Sequence, residues 1–221
     1  MHGVFDIVGP VMIGPSSSHT AGAARLGLMA RKILGGAPVR ARIGLTGSFA
    51  RTGKGHGTDK AIAGGLLGFR PDDERIRDAL QLAPDMGLAV AFYAADRPDA
   101  HPNTALLDLE RADGRTVHIE GASVGGGNIL VNQIGDYAVA LTGAYPALLT
   151  VHRDRPGVIT AVTQILAEHA LNIAFMRVSR QSRGERAMMI LELDERPDQA
   201  IVAACQRAQG VDLALSIPAI E

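Results

Sequence analysis

The chain has 221 residues, of which 47% are hydrophobic and 20% charged, and its formal net charge is −1. This length is enough for one large domain or two small ones that each bury a core. The balanced charge, the 4% aromatic content and the absence of Trp argue against a nucleic-acid-binding surface. No apolar run reaches about 18 residues and the N-terminus lacks the pattern of a secretory signal, so we expect a cytoplasmic protein without a membrane partner.

The chain contains a single cysteine, Cys205. One cysteine excludes an internal disulfide, and it is too few for an iron–sulfur cluster or a zinc site built from thiolates of this chain alone. Because Cys205 lies on the apolar face of a predicted helix, we expect it to be a buried structural thiol.

The first 141 residues mix helical and strand patterns, which predicts an α+β domain. Asp72 is expected to cap a helix, and Asp113-Gly114 is a strong hairpin signal. Residues 88–94 are predicted to form a buried strand. The predicted helices cover residues 20–34, 59–69 and 72–83, and the predicted strands cover residues 39–45, 88–94, 105–110, 116–123, 129–134 and 137–141.

Residues 142–146 are small and turn-prone, which indicates a short linker. The pattern after it alternates cleanly between strand and helix periodicity. The order βαββαβ within roughly 75 residues predicts a ferredoxin-like, split-βαβ domain. Its predicted elements are strand 147–151, helix 158–169, strands 172–179 and 187–193, helix 198–208 and strand 211–215.

A serine-rich segment, residues 14–20, lies directly before the first predicted helix and reads Gly-Pro-Ser-Ser-Ser-His-Thr. The start of a helix exposes unpaired N–H groups and attracts carboxylate or phosphate. The hydroxyls add hydrogen-bond donors, and His19 adds a group that titrates near neutral pH. The alternative is an ordinary helix cap, with one serine capping and the other side chains solvated.

A glycine-rich segment, residues 52–59, reads Thr-Gly-Lys-Gly-His-Gly-Thr-Asp and is predicted to be a loop between a strand and a helix. Alternating glycines would let the backbone approach a ligand while Lys54 and His56 project between them. The spacing does not fit a P-loop, because five residues separate Gly47 from Gly53 and a glycine follows Lys54. The alternative is a flexible loop with an exposed cation.

The remaining histidines and glycines have simpler explanations. Residues 101–104 are expected to turn into a strand, and residues 125–127 to supply positive-φ positions for a bulge. His118 is expected on a strand surface, and His152 and His169 at element ends in contact with solvent. In the last domain, Arg155 and Gly157 precede a helix and Asn172 starts the next strand, which is a place that suits a carboxylate but is also ordinary turn chemistry.

Taken together, the motifs closely resemble those of the iron–sulfur-dependent bacterial L-serine dehydratases. The resemblance covers nearly the whole chain, and the Ser-Ser-Ser-His-Thr segment is specific within that family. The segments that carry it are residues 4–10, 13–22, 53–59, 101–104 and 125–127. The section from about Leu148 looks like an ACT domain, a small amino-acid-sensing module. This layout is that of the beta chain of the two-subunit enzymes.

The resemblance implies an α+β fold with two domains. Residues 1–141 would form a serine dehydratase beta domain, similar to the allosteric-substrate-binding domain of some phosphoglycerate dehydrogenases. Residues 147–221 would form the ACT domain, after a linker at about 142–146. The implied activity is the deamination of L-serine to pyruvate and ammonia without pyridoxal phosphate. A [4Fe–4S] cluster would act as the Lewis acid and would be ligated by a partner alpha chain, so this chain would hold no metal and be inactive alone.

The resemblance also suggests roles for the two segments, which would close over the serine at the subunit interface. L-Serine or another amino acid is expected at the ACT domain, in a homodimer formed through ACT domains. The residues expected to bind substrate are Ser16, Ser17, Ser18, Thr20 and Thr58; those expected to supply charge or proton transfer are His19, Lys54 and His56; and those expected to bind the regulatory amino acid are Arg155, Gly157 and Asn172. The alternative is a stand-alone amino-acid-binding regulatory protein with no catalytic partner.

Overall fold

The computed structural model describes residues 11–220, except for the side chain of Lys54. The motif at residues 4–10 lies outside the described residues. The chain divides between Gly135 and Asp136 into two compact units. Both units combine helices and strands, so the predicted α+β class is confirmed.

The first unit places its helices against one sheet. Its helices are α1 (Ala23–Leu34), α2 (Gly47–His56), α3 (Thr58–Leu67) and α4 (Ala79–Asp85). A π-helical turn at Ser17–Gly22 precedes α1, and a 3₁₀ turn at Glu74–Asp78 precedes α4. The predicted cap at Asp72 is wrong by one residue, because the Asp73 carboxylate accepts the hydrogen bond from the Arg75 N–H at 3.0 Å.

The sheet of the first unit is mostly antiparallel. Its strands are β1 (Pro38–Leu45), β2 (Ala89–Ala94), β3 (Thr104–Arg111), β4 (Thr116–Gly125) and β5 (Asn128–Ile134), in the spatial order β2-β1-β3-β4-β5. Strand β2 pairs in parallel with β1, and the other neighbours are antiparallel. The prediction that β2 is buried is wrong: as an edge strand with a single neighbour, it leaves alternate side chains exposed.

Helices α1 and α3 pack closely because glycines lie at their contact. A Cβ added at Gly27 would come within 2.3 Å of the Ile62 carbonyl oxygen, and one added at Gly65 within 2.1 Å of the Ala24 carbonyl oxygen. The two backbones therefore touch where a side chain has no room. Large side chains fill the space around this contact, including Leu26, Met29 and Leu66, all of which are fully buried.

The predicted glycine-rich loop at residues 52–59 is wrong. Residues 47–56 form α2, and Gly57 then ends that helix in the left-handed region at φ 70° before α3 begins. Burial explains the difference: Phe49 is completely buried and anchors α2, and this packing outweighs the low helix propensity of Gly53 and Gly55.

The second unit contains the predicted ferredoxin-like arrangement. After β6 (Tyr137–Leu141), its elements run β7 (Ala147–Arg153), α5 (Val158–Glu168), β8 (Ile173–Arg180), β9 (Arg186–Leu193), α6 (Gln199–Arg207) and β10 (Val211–Ile217). The antiparallel sheet has the order β10-β7-β9-β8. The predicted βαββαβ order is confirmed.

Predictions about three single residues of the second unit have different outcomes. Cys205 is fully buried beside Leu166 and Leu191 in the core, as predicted. The prediction that His152 contacts solvent is wrong, because β7 is a central strand and the side chain is only 2% exposed. His169, at the end of α5, is exposed as predicted.

Within residues 11–220, none of the helices is long and apolar enough to cross a membrane.

Candidate functional site

The serine-rich segment forms the entrance to the π-helical turn. The Ser16 hydroxyl accepts a hydrogen bond from the His19 backbone N–H at 3.1 Å. Ser16 is therefore a helix cap, as the alternative interpretation of this segment predicts. The turn then widens to π geometry over Ser17–Gly22. Such single-turn distortions are frequent at functional sites. The backbone N–H groups at this start remain the anion-attracting feature that the sequence indicates.

His19 is held by Ser16 of the serine-rich segment and by two residues of α2. Its Nε2 lies 3.0 Å from the Ser48 hydroxyl, and its Nδ1 lies 3.4 Å from the Ser16 hydroxyl. The imidazole also meets the Phe49 ring edge-on, with ring centroids 5.4 Å apart. The ring is therefore fixed by hydroxyl groups at both nitrogens and by an aromatic wall.

The structure brings His19 and His56 together. Their ring centroids are 5.1 Å apart, and the His56 carbonyl accepts a hydrogen bond from the Thr20 hydroxyl at 3.3 Å. His56 Nδ1 lies 3.2 Å from the Thr52 carbonyl oxygen in the preceding turn of α2. The helical geometry of α2 thus aims His56 back at the serine-rich turn, which a flexible loop would not do.

A cavity of about 310 Å³ opens beside His56, whereas His19 is not one of its lining residues. Thr20 and His56 line it together with Gly14 of the serine-rich segment and with Gly55 and Gly57 of the glycine-rich segment. Lys60, from α3, contributes a cation. A cavity of this size with a few convergent polar groups is typical of small-molecule sites. The full lining is Ile13, Gly14, Pro15, Thr20, Gly55, His56, Gly57, Lys60, Ile76 and Arg77.

Burial lowers the pKa of His19 below its ordinary value of 6.5, and the nearby positive charge of a protonated His56 lowers it further. The neutral imidazole is therefore the main form of His19 at pH 7. In that form one ring nitrogen can accept a proton, which is the requirement for a general base.

Other buried hydroxyls surround the turn without partners. Thr58 is fully buried and its Oγ1 makes no hydrogen bond with the described residues, and the same holds for the hydroxyl of Ser123 on β4. Ser123 stands against Gly22, where an added Cβ would come within 2.0 Å of its Oγ. Gly22 is thus required for close packing of the turn on β4.

Sequence reasoning missed Ser48 and Lys60. Ser48 is positioned by the Pro102 carbonyl, which accepts the Ser48 N–H at 2.7 Å. Gly47, at φ +47°, approaches the same proline so closely that a Cβ would lie 2.7 Å from its carbonyl oxygen. The available signal is a Gly-Ser pair one residue after a predicted strand, together with the His-Pro-Asn-Thr motif of residues 101–104.

The other residues predicted to bind substrate or a regulatory amino acid lie in both units and differ in exposure. Ser17 and Ser18 are half-buried within the turn, and Lys54 lies on α2. In the second unit, Gly157 starts α5 with φ 91°, and Arg155 before it is exposed. Asn172 is exposed and donates a hydrogen bond to the Asp194 carboxylate at 2.8 Å.

No metal-binding cluster of three or more His, Cys, Asp or Glu occurs within residues 11–220. The only cysteine of the chain is buried in the core of the second unit. The described residues therefore do not fit a [4Fe–4S] cluster, which needs several thiolates around one centre.

The geometry defines a two-part protein: an α+β unit with a serine–histidine site beside a small cavity, followed by a ferredoxin-like module. Comparison with protein families gives the same division. Residues 3–133 match the family described as serine dehydratase beta chain, and residues 147–208 match the ACT domain. The chain belongs to the serine dehydratase beta chain family, which confirms the resemblance found in the motifs.

Two relatives match the chain over most of its length. It is 46% identical over 199 residues to a probable L-serine dehydratase beta chain of Bacillus subtilis, covering 90% of each protein. It is 34% identical over 204 residues to the L-serine dehydratase beta chain of Peptoniphilus asaccharolyticus, covering 92% of each. An L-serine dehydratase of Mycobacterium tuberculosis is 34% identical over 154 residues, which are 59% of this chain and 33% of that protein.

Proposed function

We propose that this chain is the beta subunit of an L-serine dehydratase that converts L-serine to pyruvate and ammonia together with an alpha chain. The observation that carries the proposal is the meeting of His19, Ser48 and His56 beside a cavity, in a chain of this family. The functional domains would be residues 1–141 and 147–221, separated by the linker at about 142–146.

The serine-rich turn would hold the substrate carboxylate. The start of the turn presents backbone N–H groups, and Ser17, Ser18 and the lining residue Thr20 add hydroxyls nearby. Lys60 lines the same cavity and would add a positive charge, and Lys54 lies on the neighbouring α2. A small amino acid would be fixed by its carboxylate at this end, with the rest of the molecule facing the partner subunit.

The imidazoles of His19 and His56 would accept and transfer the Cα proton of L-serine. Loss of water from L-serine requires removal of the Cα proton, which needs a base that is unprotonated near pH 7; for histidine this is the neutral imidazole. The lowered pKa of His19 keeps its imidazole in that form. His56 lines the cavity 5.1 Å away, ring centroid to ring centroid, and is close enough to share in the transfer through the substrate or water.

The [4Fe–4S] cluster expected from the family would be ligated by the alpha chain. The described residues of this chain do not fit it, and Cys205 is buried away from solvent. The relative from M. tuberculosis supports this division, because the match covers 33% of that protein and leaves the larger part to carry other functions. This chain alone would therefore be inactive, and it would work in a reducing compartment such as the cytoplasm.

Anaerobic co-expression with a candidate alpha chain tests the proposal. We expect iron in the purified complex, pyruvate formation from L-serine, and no activity from this chain alone. His19→Asn in the complex should lower kcat by about 100-fold or more, the range typical of a lost acid–base group. His169→Asn, at the exposed end of α5, is the matched control and should leave kcat unchanged.

Two results would contradict this assignment. Activity within twofold of wild type in both His19→Asn and His56→Asn complexes would remove the catalytic role of the pair. Amino-acid binding by a chain that never associates with an alpha chain would favour the stand-alone regulatory protein instead.

We also propose that the second unit binds a regulatory amino acid, L-serine or another, near Arg155, Gly157 and Asn172, in a homodimer formed by two such units. Gly157 lies at the start of α5, where the first N–H groups have no partners within the helix, and Arg155 and Asn172 are exposed polar side chains. Titration of L-serine into the full chain should give saturable heat. Arg155→Gln should weaken binding about tenfold, whereas Arg183→Gln, in the exposed turn before β9, should not. Absence of heat at millimolar serine would contradict a serine site.

A further inference from the structure

A second cavity lies within the second unit, on the side of the sheet opposite α5 and α6. Its volume is about 520 Å³, compared with about 310 Å³ for the cavity lined by His56, and lies within the range of small-molecule sites. The lining comes from β6, the segment after it, β8 and β9. The lining residues are Ala140, Thr142, Tyr145, Phe175, Met176, Arg177, Ile190 and Glu192.

Strand register explains why these side chains meet. Leu191 and Leu193 of β9 belong to the core beneath the helices, so the alternate residues Ile190 and Glu192 face the other way. On β8, Phe175 pairs with Glu192 and Arg177 pairs with Ile190. Residues that pair directly across two strands share a face, so a carboxylate and a guanidinium reach the same cavity.

Glu192 is a buried carboxylate in the wall of this cavity. It is only 7% exposed, and its Oε1 makes no hydrogen bond with the described residues. Burial raises the pKa of Glu192, and hydrogen bonds from Thr142 offset only part of the increase. A buried carboxylate oxygen without a partner costs free energy, so its retention at the wall of a cavity points to a cationic partner that is not part of this chain.

The rest of the cavity has the complementary features of one ligand class. Tyr145 and Phe175 form an edge-to-face pair with ring centroids 5.7 Å apart. Arg177 is exposed at the cavity and makes no ion pair within the described part of the chain. A ligand here would meet a negative group, a positive group and an aromatic wall.

We propose that this cavity is a binding site for a free α-amino acid with an apolar side chain. The ligand ammonium group would bind the Glu192 carboxylate, its carboxylate would bind the Arg177 guanidinium, and its side chain would pack on Tyr145 and Phe175. The site rests on residues other than Arg155, Gly157 and Asn172, so it is a second amino-acid site and does not depend on the serine site proposed above. The second unit would therefore sense an apolar amino acid in addition to serine.

Titration of the full 221-residue chain, without an alpha chain, tests the site. L-Phenylalanine is the probe, and phenethylamine and 3-phenylpropionate are analogues that each lack one charged group. We expect saturable binding of L-phenylalanine that weakens about tenfold or more in both Glu192→Gln and Arg177→Gln. Phenethylamine binding should respond only to Glu192→Gln, and 3-phenylpropionate binding only to Arg177→Gln.

Matched variants separate the site from general charge effects. Glu195→Gln and Arg183→Gln change the same residue types at exposed positions of this unit and should leave binding within twofold. Arg177 is exposed, so its variant and the two analogues keep the test valid even if Glu192→Gln perturbs folding. No saturable response at about 10 mM L-phenylalanine, or binding lost in Arg155→Gln but not in Glu192→Gln or Arg177→Gln, would overturn the proposal. Because no activity is measured, failure here leaves the dehydratase assignment unaffected.

Discussion

His19 illustrates how one side chain is prepared for proton transfer. Its two ring nitrogens face hydroxyl groups, at 3.0 Å from Ser48 and 3.4 Å from Ser16. A hydroxyl can donate or accept, so the same two serines can accommodate either neutral tautomer and the protonated ring. The Phe49 ring limits water access on one side. Orientation is therefore fixed while the protonation state remains free to change, which suits a group that must gain and lose a proton.

Ser48→Ala tests whether this orientation matters. Removal of the hydroxyl takes away the shorter of the two contacts and should lower kcat of the two-chain enzyme about three- to tenfold, the equivalent of one hydrogen bond of about 1 kcal/mol. KM should change little, because Ser48 is not a lining residue of the cavity. Steady-state assays on the co-expressed complex provide the measurement.

Two controls distinguish positioning from a structural effect of Ser48. Ser48→Thr keeps the hydroxyl and should recover most of the lost kcat. Ser182→Ala, in the exposed turn between β8 and β9, should have no effect. Equal losses in Ser48→Ala and Ser48→Thr would mean that packing, not the hydroxyl, accounts for the change.

At the scale of secondary-structure elements, glycines fix how the site is assembled. Helix α1 follows the serine-rich turn and α3 follows His56, so the distance between these helices sets the distance between the two halves of the site. Gly27 and Gly65 allow the helices to touch backbone to backbone. A wider spacing would move His56 and Thr20 apart and break their 3.3 Å hydrogen bond.

Gly65→Ala should therefore destabilise the protein. The added methyl group would lie 2.1 Å from the Ala24 carbonyl oxygen, and overpacking of this kind costs about 1–3 kcal/mol. Gly55→Ala is the matched variant: it is also helical, and no atom lies within 4 Å of the added Cβ. It should stabilise by about 0.5–1 kcal/mol through helix propensity. Urea unfolding of both variants gives the comparison, and a neutral Gly65→Ala would disprove the close helix contact.

The sequence predicts some elements of the fold correctly and others wrongly, and the difference depends on whether the signal is local. Periodicity predicts the βαββαβ unit, because each of its elements buries one regular face. The placement of His19 and His56 at one site comes instead from a histidine in each of the two segments and from the family resemblance; the two rings lie 5.1 Å apart, and their catalytic role stays a prediction. Periodicity fails at α2, where glycine propensity indicates a loop, and at His152, whose place in a central strand depends on sheet order. Ser48 could not be assigned either, because its partner His19 is 29 residues away and only the fold brings them together.

For the whole molecule, the half-buried His19 and the buried His152 affect how stability responds to acid. His19 in the first unit and His152 in the second both have pKa values lowered below 6.5, in each case chiefly by burial. The carboxylates of Asp154 and Asp212 partly oppose the shift at His152. The unfolded chain binds these protons near pH 6.5 and the folded chain binds them only at lower pH. These two histidines therefore contribute less to the free energy of unfolding as the pH drops below about 6.5.

His152→Gln should remove the contribution of the second unit to this acid sensitivity. One histidine can change the free energy of unfolding by at most about 1.4 kcal/mol per pH unit, between pH 6.5 and the lowered pKa of the folded state. Glu192, whose pKa is raised, acts in the opposite direction near and above pH 4.5, so the comparison must be made between variants at each pH. Urea unfolding from pH 5 to pH 8 should show a smaller decline in His152→Gln than in wild type. His169→Gln, at an exposed position, should follow the wild-type curve. Parallel curves for wild type and His152→Gln would show that the proton taken up on unfolding binds elsewhere.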